Sequence, residues 1–206
     1  MFDLAYVPKC GTSVLLEHFD CFNRTTDFVP DNTVLLLRDP FDRAITEQIQ
    51  KLDTADDFDD AYPDVVFEEL IFSERNAMSR HLRLDKILNI DLDNNLITDE
   101  KTKRTLFEYL QTFFLIGLFA SYDWVDDRIT YSDEFNIIQC IKTFCEEDGQ
   151  LEIPVIELND KIDYINLDLG LRGKFTSYNR IDYLLFSVIK NVLRYNKKNK
   201  PRFTYD

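Results

Sequence analysis

Two short segments carry the residue types best suited to holding an anion. The first is Val7-Pro8-Lys9-Cys10-Gly11-Thr12-Ser13, which follows a short apolar run over 3–7 and precedes Val14, Leu15, Leu16, His18 and Phe19. A strand that ends in such a loop and turns into a helix aims backbone N–H groups and the positive end of the helix dipole at one point, with glycine allowing close approach. Lys9 adds a full positive charge, and the hydroxyls of Thr12 and Ser13 add donors. The loop is not a Walker A sequence, because the second glycine with its following lysine is missing. Nucleoside triphosphate hydrolysis is therefore disfavoured. The second segment is Arg38-Asp39-Pro40-Phe41-Asp42-Arg43, with Thr46 close behind. Arg38 offers a planar fork matched to a phosphate, and Thr46, about two helical turns on, supplies a hydroxyl.

Both segments need elements that bring them to one place. The continuous Val-Leu-Leu-Leu run within 33–37 suits a strand buried on both faces, hence a parallel sheet covered by helices. Residues 42–52 return to helical spacing through Ala44, Ile45, Ile49 and Leu52. Two strand-loop-helix units predict an α/β architecture with a mostly parallel central sheet, in which ligands collect beyond the carboxyl ends of the strands. Lys9 and Arg38 would then share one rim. Further along, the pattern predicts helices over 67–84, 101–114 and 132–145, strands over 114–119 and 153–156, and a closing amphipathic helix over 182–195. The aspartate-rich stretch 53–64 reads as a solvated loop or helix edge. With no linker, repeat or low-complexity segment, residues 1–206 read as one domain.

Composition narrows the partners. With 24 Lys+Arg against 38 Asp+Glu, the formal net charge is −14, which opposes the broad basic surface that nucleic acid requires. No apolar stretch is long enough for a membrane span, and the first residues lack the features of a secretory signal. Cys10, Cys21, Cys140 and Cys145 show no zinc spacing, so reduced thiols and a cytoplasmic location are expected, with no metal. The stretch Asp91-Leu-Asp93-Asn-Asn95 imitates the start of a calcium loop, but Leu96 and Thr102 stand where that loop needs Gly and Glu. Lys197, Lys198 and Lys200 are explained by the dipole of the helix they finish.

Taken together and in this order, the two anion-holding segments resemble those of the PAPS-dependent sulfotransferases, particularly the carbohydrate sulfotransferase branch. Residues 7–13 look like the family's 5′-phosphosulfate loop, and Arg38 to Arg43 followed by a hydroxyl residue look like its 3′-phosphate motif. Weaker likeness runs through Phe67-Glu68-Glu69-Leu70, residues 76–82, Ile116-Gly117-Leu118-Phe119, residues 154–159 and Tyr178-Asn179-Arg180-Ile181-Asp182. The resemblance implies a P-loop-like sulfotransferase fold. It also implies that Lys9, Cys10, Gly11, Thr12 and Ser13 hold the 5′-phosphosulfate of 3′-phosphoadenosine-5′-phosphosulfate (PAPS), and that Arg38 and Thr46 hold its 3′-phosphate. Arg43 matches a position that is more often structural.

The implied reaction is in-line transfer of a sulfuryl group to an acceptor hydroxyl or amine, with Lys9 neutralising the departing oxygen. The base is expected to be His18, with Asp27 and Asp31 as alternatives, and His81 is a candidate to face the acceptor instead. Thr46 replaces the usual Ser, and the stretch between Lys9 and Arg38 is shorter than in most relatives, which commonly draw their base from it. The acceptor is a small molecule or a carbohydrate, and the chain's acidity favours a neutral or cationic one. The rival reading is an inactive nucleotide-binding or protein-interaction module derived from such an enzyme; a third is a related transferase using another nucleotide.

Overall fold

The computed structural model describes residues 2–18, 22–26, 30–53, 71–93, 100–118, 120–123, 128–131 and 169–199. Strand β1 (Phe2–Ala5) leads through the first anion-holding loop into α1 (Thr12–His18), β2 (Phe22–Thr25) and a 3-10 turn, Pro30–Asn32. Strand β3 (Thr33–Leu37) then feeds α2 (Pro40–Asp53). Next come α3 (Ala77–His81), α4 (Leu84–Leu88), α5 (Glu100–Leu110) and β4 (Leu115–Leu118). An antiparallel pair, β5 (Ala120–Asp123) and β6 (Arg128–Tyr131), precedes α6 (Leu169–Tyr178) and α7 (Arg180–Asn199).

Four strands form an all-parallel sheet in the order β2-β1-β3-β4. All five residues of β3 and all four of β4 are buried, as a strand covered on both faces must be. The protein is thus α/β, and the strands expected over 33–37 and 114–119 are present. Strand β2 was not foreseen: Phe22-Asn23-Arg24-Thr25 is an edge strand with only Phe22 buried, so it lacks an apolar run. The closing helix follows its pattern, since α7 buries Leu185, Ile189, Val192 and Leu193 in the core shared with β1, β3 and β4. The helix expected over 132–145 and the strand over 153–156 lie outside the described residues, as do Cys21, Cys140 and Cys145. Of the acidic stretch 53–64, only Asp53 is described, at the end of α2.

The single helix expected over 67–84 is corrected. Within 71–93 the chain forms the short α3 and α4, interrupted where Asn76 (φ 50°) and Arg83 (φ 53°) turn left-handed, a conformation that L-residues cannot continue as a helix. Asn76 leaves the helical path because its groups are used across the fold. Its side-chain oxygen accepts from the N–H groups of Ile181 (3.1 Å) and Asp182 (3.3 Å), capping the start of α7. In return, Asp182 accepts from Met78 N–H (3.0 Å), Ser79 N–H (2.8 Å) and the Ser79 hydroxyl (2.6 Å), capping α3. Asn179 completes the junction by accepting from Asn76 N–H at 2.7 Å. Each helix start is therefore capped by a residue from the other.

Because these groups are buried, removing either cap strands polar atoms away from water. Asp182→Ala is expected to cost about 3 kcal/mol in urea unfolding. Adding Asn76→Ala to it should cost less than the separate losses predict, by about 0.5 kcal/mol or more, because both changes open the same junction. Additive losses would show that the two caps act independently.

Candidate functional site

Strands β1 and β3 are parallel neighbours, so the segments that follow them emerge at the same edge of the sheet. After β1, Tyr6 N–H still bonds Thr25 O at 3.0 Å, and the chain then folds tightly. The Val7 carbonyl collects Cys10 N–H (3.3 Å) and the Thr12 hydroxyl (3.4 Å). That closure requires positive φ at Lys9 (61°) and Gly11 (84°). Glycine takes this conformation without strain, whereas for lysine it costs roughly 1–2 kcal/mol. Thr12 is buried, Lys9 is half-buried and Ser13 is exposed. Helix α1 has only 7 residues, so Lys9 is the larger source of positive potential here.

The Cys10 side chain turns inward, fully buried with its thiol 4.0 Å from the Met78 sulfur. Burial pushes the thiol up to about 12, against the opposing charges of Arg43 and Arg38. It is a neutral anchor for the loop rather than a nucleophile, and its backbone N–H is given to Val7.

After β3, the Arg38 guanidinium lies beneath the surface, 2% exposed, and its Nη1 donates to Thr46 Oγ1 at 2.9 Å. The Thr46 hydroxyl in turn donates to Asp42 O at 2.9 Å. The two residues expected to hold one phosphate are thus brought together, Arg38 just after β3 and Thr46 within α2. Asp39 caps α2 through bonds from Phe41 N–H (2.9 Å) and Asp42 N–H (3.3 Å), with Pro40 at the first helical position where no N–H is needed. The other Asp39 oxygen accepts from Arg172 Nη2 at 3.0 Å. Arg172 arrives from α6, which packs Phe175 against Phe41 at 5.3 Å between ring centres. No spacing in the sequence marks Arg172, because its partner lies 133 positions away. Arg43 is buried and pairs with Glu47 at 2.8 Å, a structural role. Burial, and secondly the Asp39 charge, push the Asp42 carboxyl up to about 7 against Arg38 and Arg172.

The candidate bases fall in different places. His18 closes α1, which runs back along the sheet to reach β2, and its side chain lies outside the described residues, as does Asp27. Asp31 sits in the turn before β3, at the opposite edge of the sheet from Lys9 and Arg38. His81 ends α3 with its ring edge-on to Tyr6, 6.4 Å between centres. Among the described residues no cluster of side chains suited to a metal forms, and no helix is long and apolar enough to cross a membrane. An open hollow of about 640 Å³, lined by Phe72, Arg75, Gly173, Lys174, Ser177 and Tyr178, shares no residue with either segment.

No family model, curated protein or solved structure matches the chain. The site is therefore read from its own geometry.

Asp42 gives that geometry a pH signature. Its folded value lies above the ordinary carboxylate range, so the folded chain holds a proton that the unfolded chain releases between about pH 4 and 7. The resulting stability is present at low pH and is lost as pH rises through about 7. Relative to Asp42→Asn, the wild type should lose on the order of 3 kcal/mol in urea unfolding between roughly pH 4.5 and pH 8. Parallel pH profiles for the two proteins would show that Asp42 is charged throughout.

Proposed function

We propose that the chain is a PAPS-dependent sulfotransferase with a P-loop-like sulfotransferase fold. The observation that carries this reading is the emergence of the Lys9 loop and the Arg38–Thr46 pair from adjacent parallel strands at one sheet edge. One ligand with two separated phosphate groups can reach both. The Arg38 and Thr46 pair receives the 3′-phosphate, and the loop from Lys9 to Ser13 receives the 5′-phosphosulfate. In this reading Lys9 offsets the negative charge gathering on the departing phosphate oxygen as the sulfuryl group moves in line to the acceptor. Cys10 contributes by fixing the loop to Met78 rather than by touching the donor.

A second reading, a non-catalytic descendant, is favoured by one feature of the same geometry. Arg38 is already bonded to Thr46 and Asp39 to Arg172, so these side chains can serve the fold alone.

Thermal-shift titration separates the two. Adenosine 3′,5′-bisphosphate at about 100 times its dissociation constant should stabilise the fold by roughly 2.7 kcal/mol, or about 5–10 °C. AMP and ATP should do less, and Arg38→Ala should lose the response. Lys9→Gly keeps the left-handed backbone without strain and removes the charged side chain, so it should retain the fold and abolish PAPS turnover. A folded wild type with no preference for the bisphosphate would leave the non-catalytic reading.

A further inference from the structure

Three side chains from three segments meet beside the Lys9 loop. Tyr6 lies between β1 and that loop. Arg24, near the carboxyl end of β2, lays its guanidinium over the Tyr6 ring at 3.4 Å. His81 meets the same ring edge-on from α3. The approach of α3 is not a chance contact of one side chain. Met78 and His81 are three residues apart, hence on one face of the helix, and Met78 touches Cys10 of the same loop. Helix α3 therefore touches the loop at Cys10 through Met78 and the residue ahead of the loop, Tyr6, through His81. Arg24 and His81 are both exposed, so a molecule arriving from solvent reaches them.

We propose that these residues form the acceptor side of the site, with His81 taking the acceptor's proton and with Tyr6 and Arg24 as its wall, and that the acceptor is a hydroxyl compound rather than an amine. This rests on the sulfotransferase reading above. A hydroxyl must shed its proton as it attacks, and an imidazole uncharged at neutral pH can take it. Loss of water around the ring, and secondly the Arg43 charge, hold His81 below the ordinary imidazole range. Glu74 ahead of α3, Glu47 on α2 and Asp182 on α7 pull the other way without reversing the shift. An amine reaches the site mostly as an ammonium ion, which the Arg24 guanidinium repels. A guanidinium held over a ring by its carbon still carries N–H donors, suited to the oxygen atoms of a neutral polyhydroxylated acceptor.

The step balances without a further reagent. The acceptor oxygen forms a bond to sulfur while the bond from sulfur to the bridging phosphate oxygen breaks. That oxygen keeps the electron pair beside Lys9, the acceptor's proton passes to a His81 ring nitrogen, and nothing is oxidised or reduced.

The test uses the full chain with PAPS and two simple probes of similar size, phenol and benzylamine, and follows release of adenosine 3′,5′-bisphosphate. Phenol should support turnover and benzylamine should not. His81→Asn should slow the phenol reaction by roughly 10²–10⁴-fold while leaving bisphosphate binding and melting temperature unchanged. The wild-type rate should rise with pH to a plateau, with a midpoint below the ordinary imidazole value, and His81→Asn should lose that rise. Arg24→Ala should relax the discrimination against benzylamine. Unchanged turnover or an unchanged pH profile in His81→Asn, or turnover with neither probe in a protein that binds the bisphosphate, overturns the assignment and leaves the donor site standing. Failure of the wild type to bind the bisphosphate overturns both.

Discussion

One buried carboxylate, Asp182, accepts three hydrogen bonds from the start of α3, and the arrangement of the β1 edge follows from that attachment. Burial pushes the carboxyl up, while the bonds from Ser79 and Met78 and the Arg43 charge hold it back. A lone carboxylate in this position would be costly, and a helix of five residues would not be stable alone in water. Each makes the other tolerable. The same junction sets Met78 under Cys10 and His81 beside Tyr6, so the placement of chemistry-bearing side chains depends on a contact between segments more than a hundred positions apart.

The second constraint is the charge group around α2. Arg38, Asp39, Asp42 and Arg43 are all nearly buried, in a chain whose net charge is −14. Arg43 is matched by Glu47, and Asp39 by Arg172 and two helix N–H groups. Asp42 carries the excess, and its proton affinity rises until it sits near neutrality. A phosphate arriving beside Arg38 would favour the protonated form further, since two negative charges would otherwise share one desolvated corner. An acidic protein can thus present a local anion site without a basic surface, because the compensation is internal and short in range.

Legibility in the sequence followed the range of the interaction. Strands β3 and β4 and helices α2 and α7 were readable because continuous burial or a 3.6-residue period repeats over neighbouring positions. Strand β2 was missed because an edge strand needs only one buried residue among Phe22-Asn23-Arg24-Thr25, and its partner supplies the rest. The break at Asn76 was invisible because its cause lies at Ile181 and Asp182, more than a hundred positions away. The candidate residues of the donor side were legible as motifs, since loop chemistry is local. Arg172 and the meeting of Tyr6, Arg24 and His81 were not, since the topology alone joins them.

Lys9 shows how these levels meet in one residue. A glycine at φ 61° would avoid the strain, yet the position carries a lysine. The loop can hold that conformation because it is fixed from both sides: Val7 O takes two donors, and the Cys10 side chain is lodged in the core against Met78. Inward anchoring of Cys10 leaves the alternate residues on either side, Lys9 and Gly11, to form the outer surface of the turn, where glycine keeps the backbone approachable and lysine supplies charge. The strain is small beside the burial of Cys10 and the contacts of α3 that brace it. Asp182, through α3 and Met78, is thereby mechanically linked to the lysine on which the proposed transfer depends.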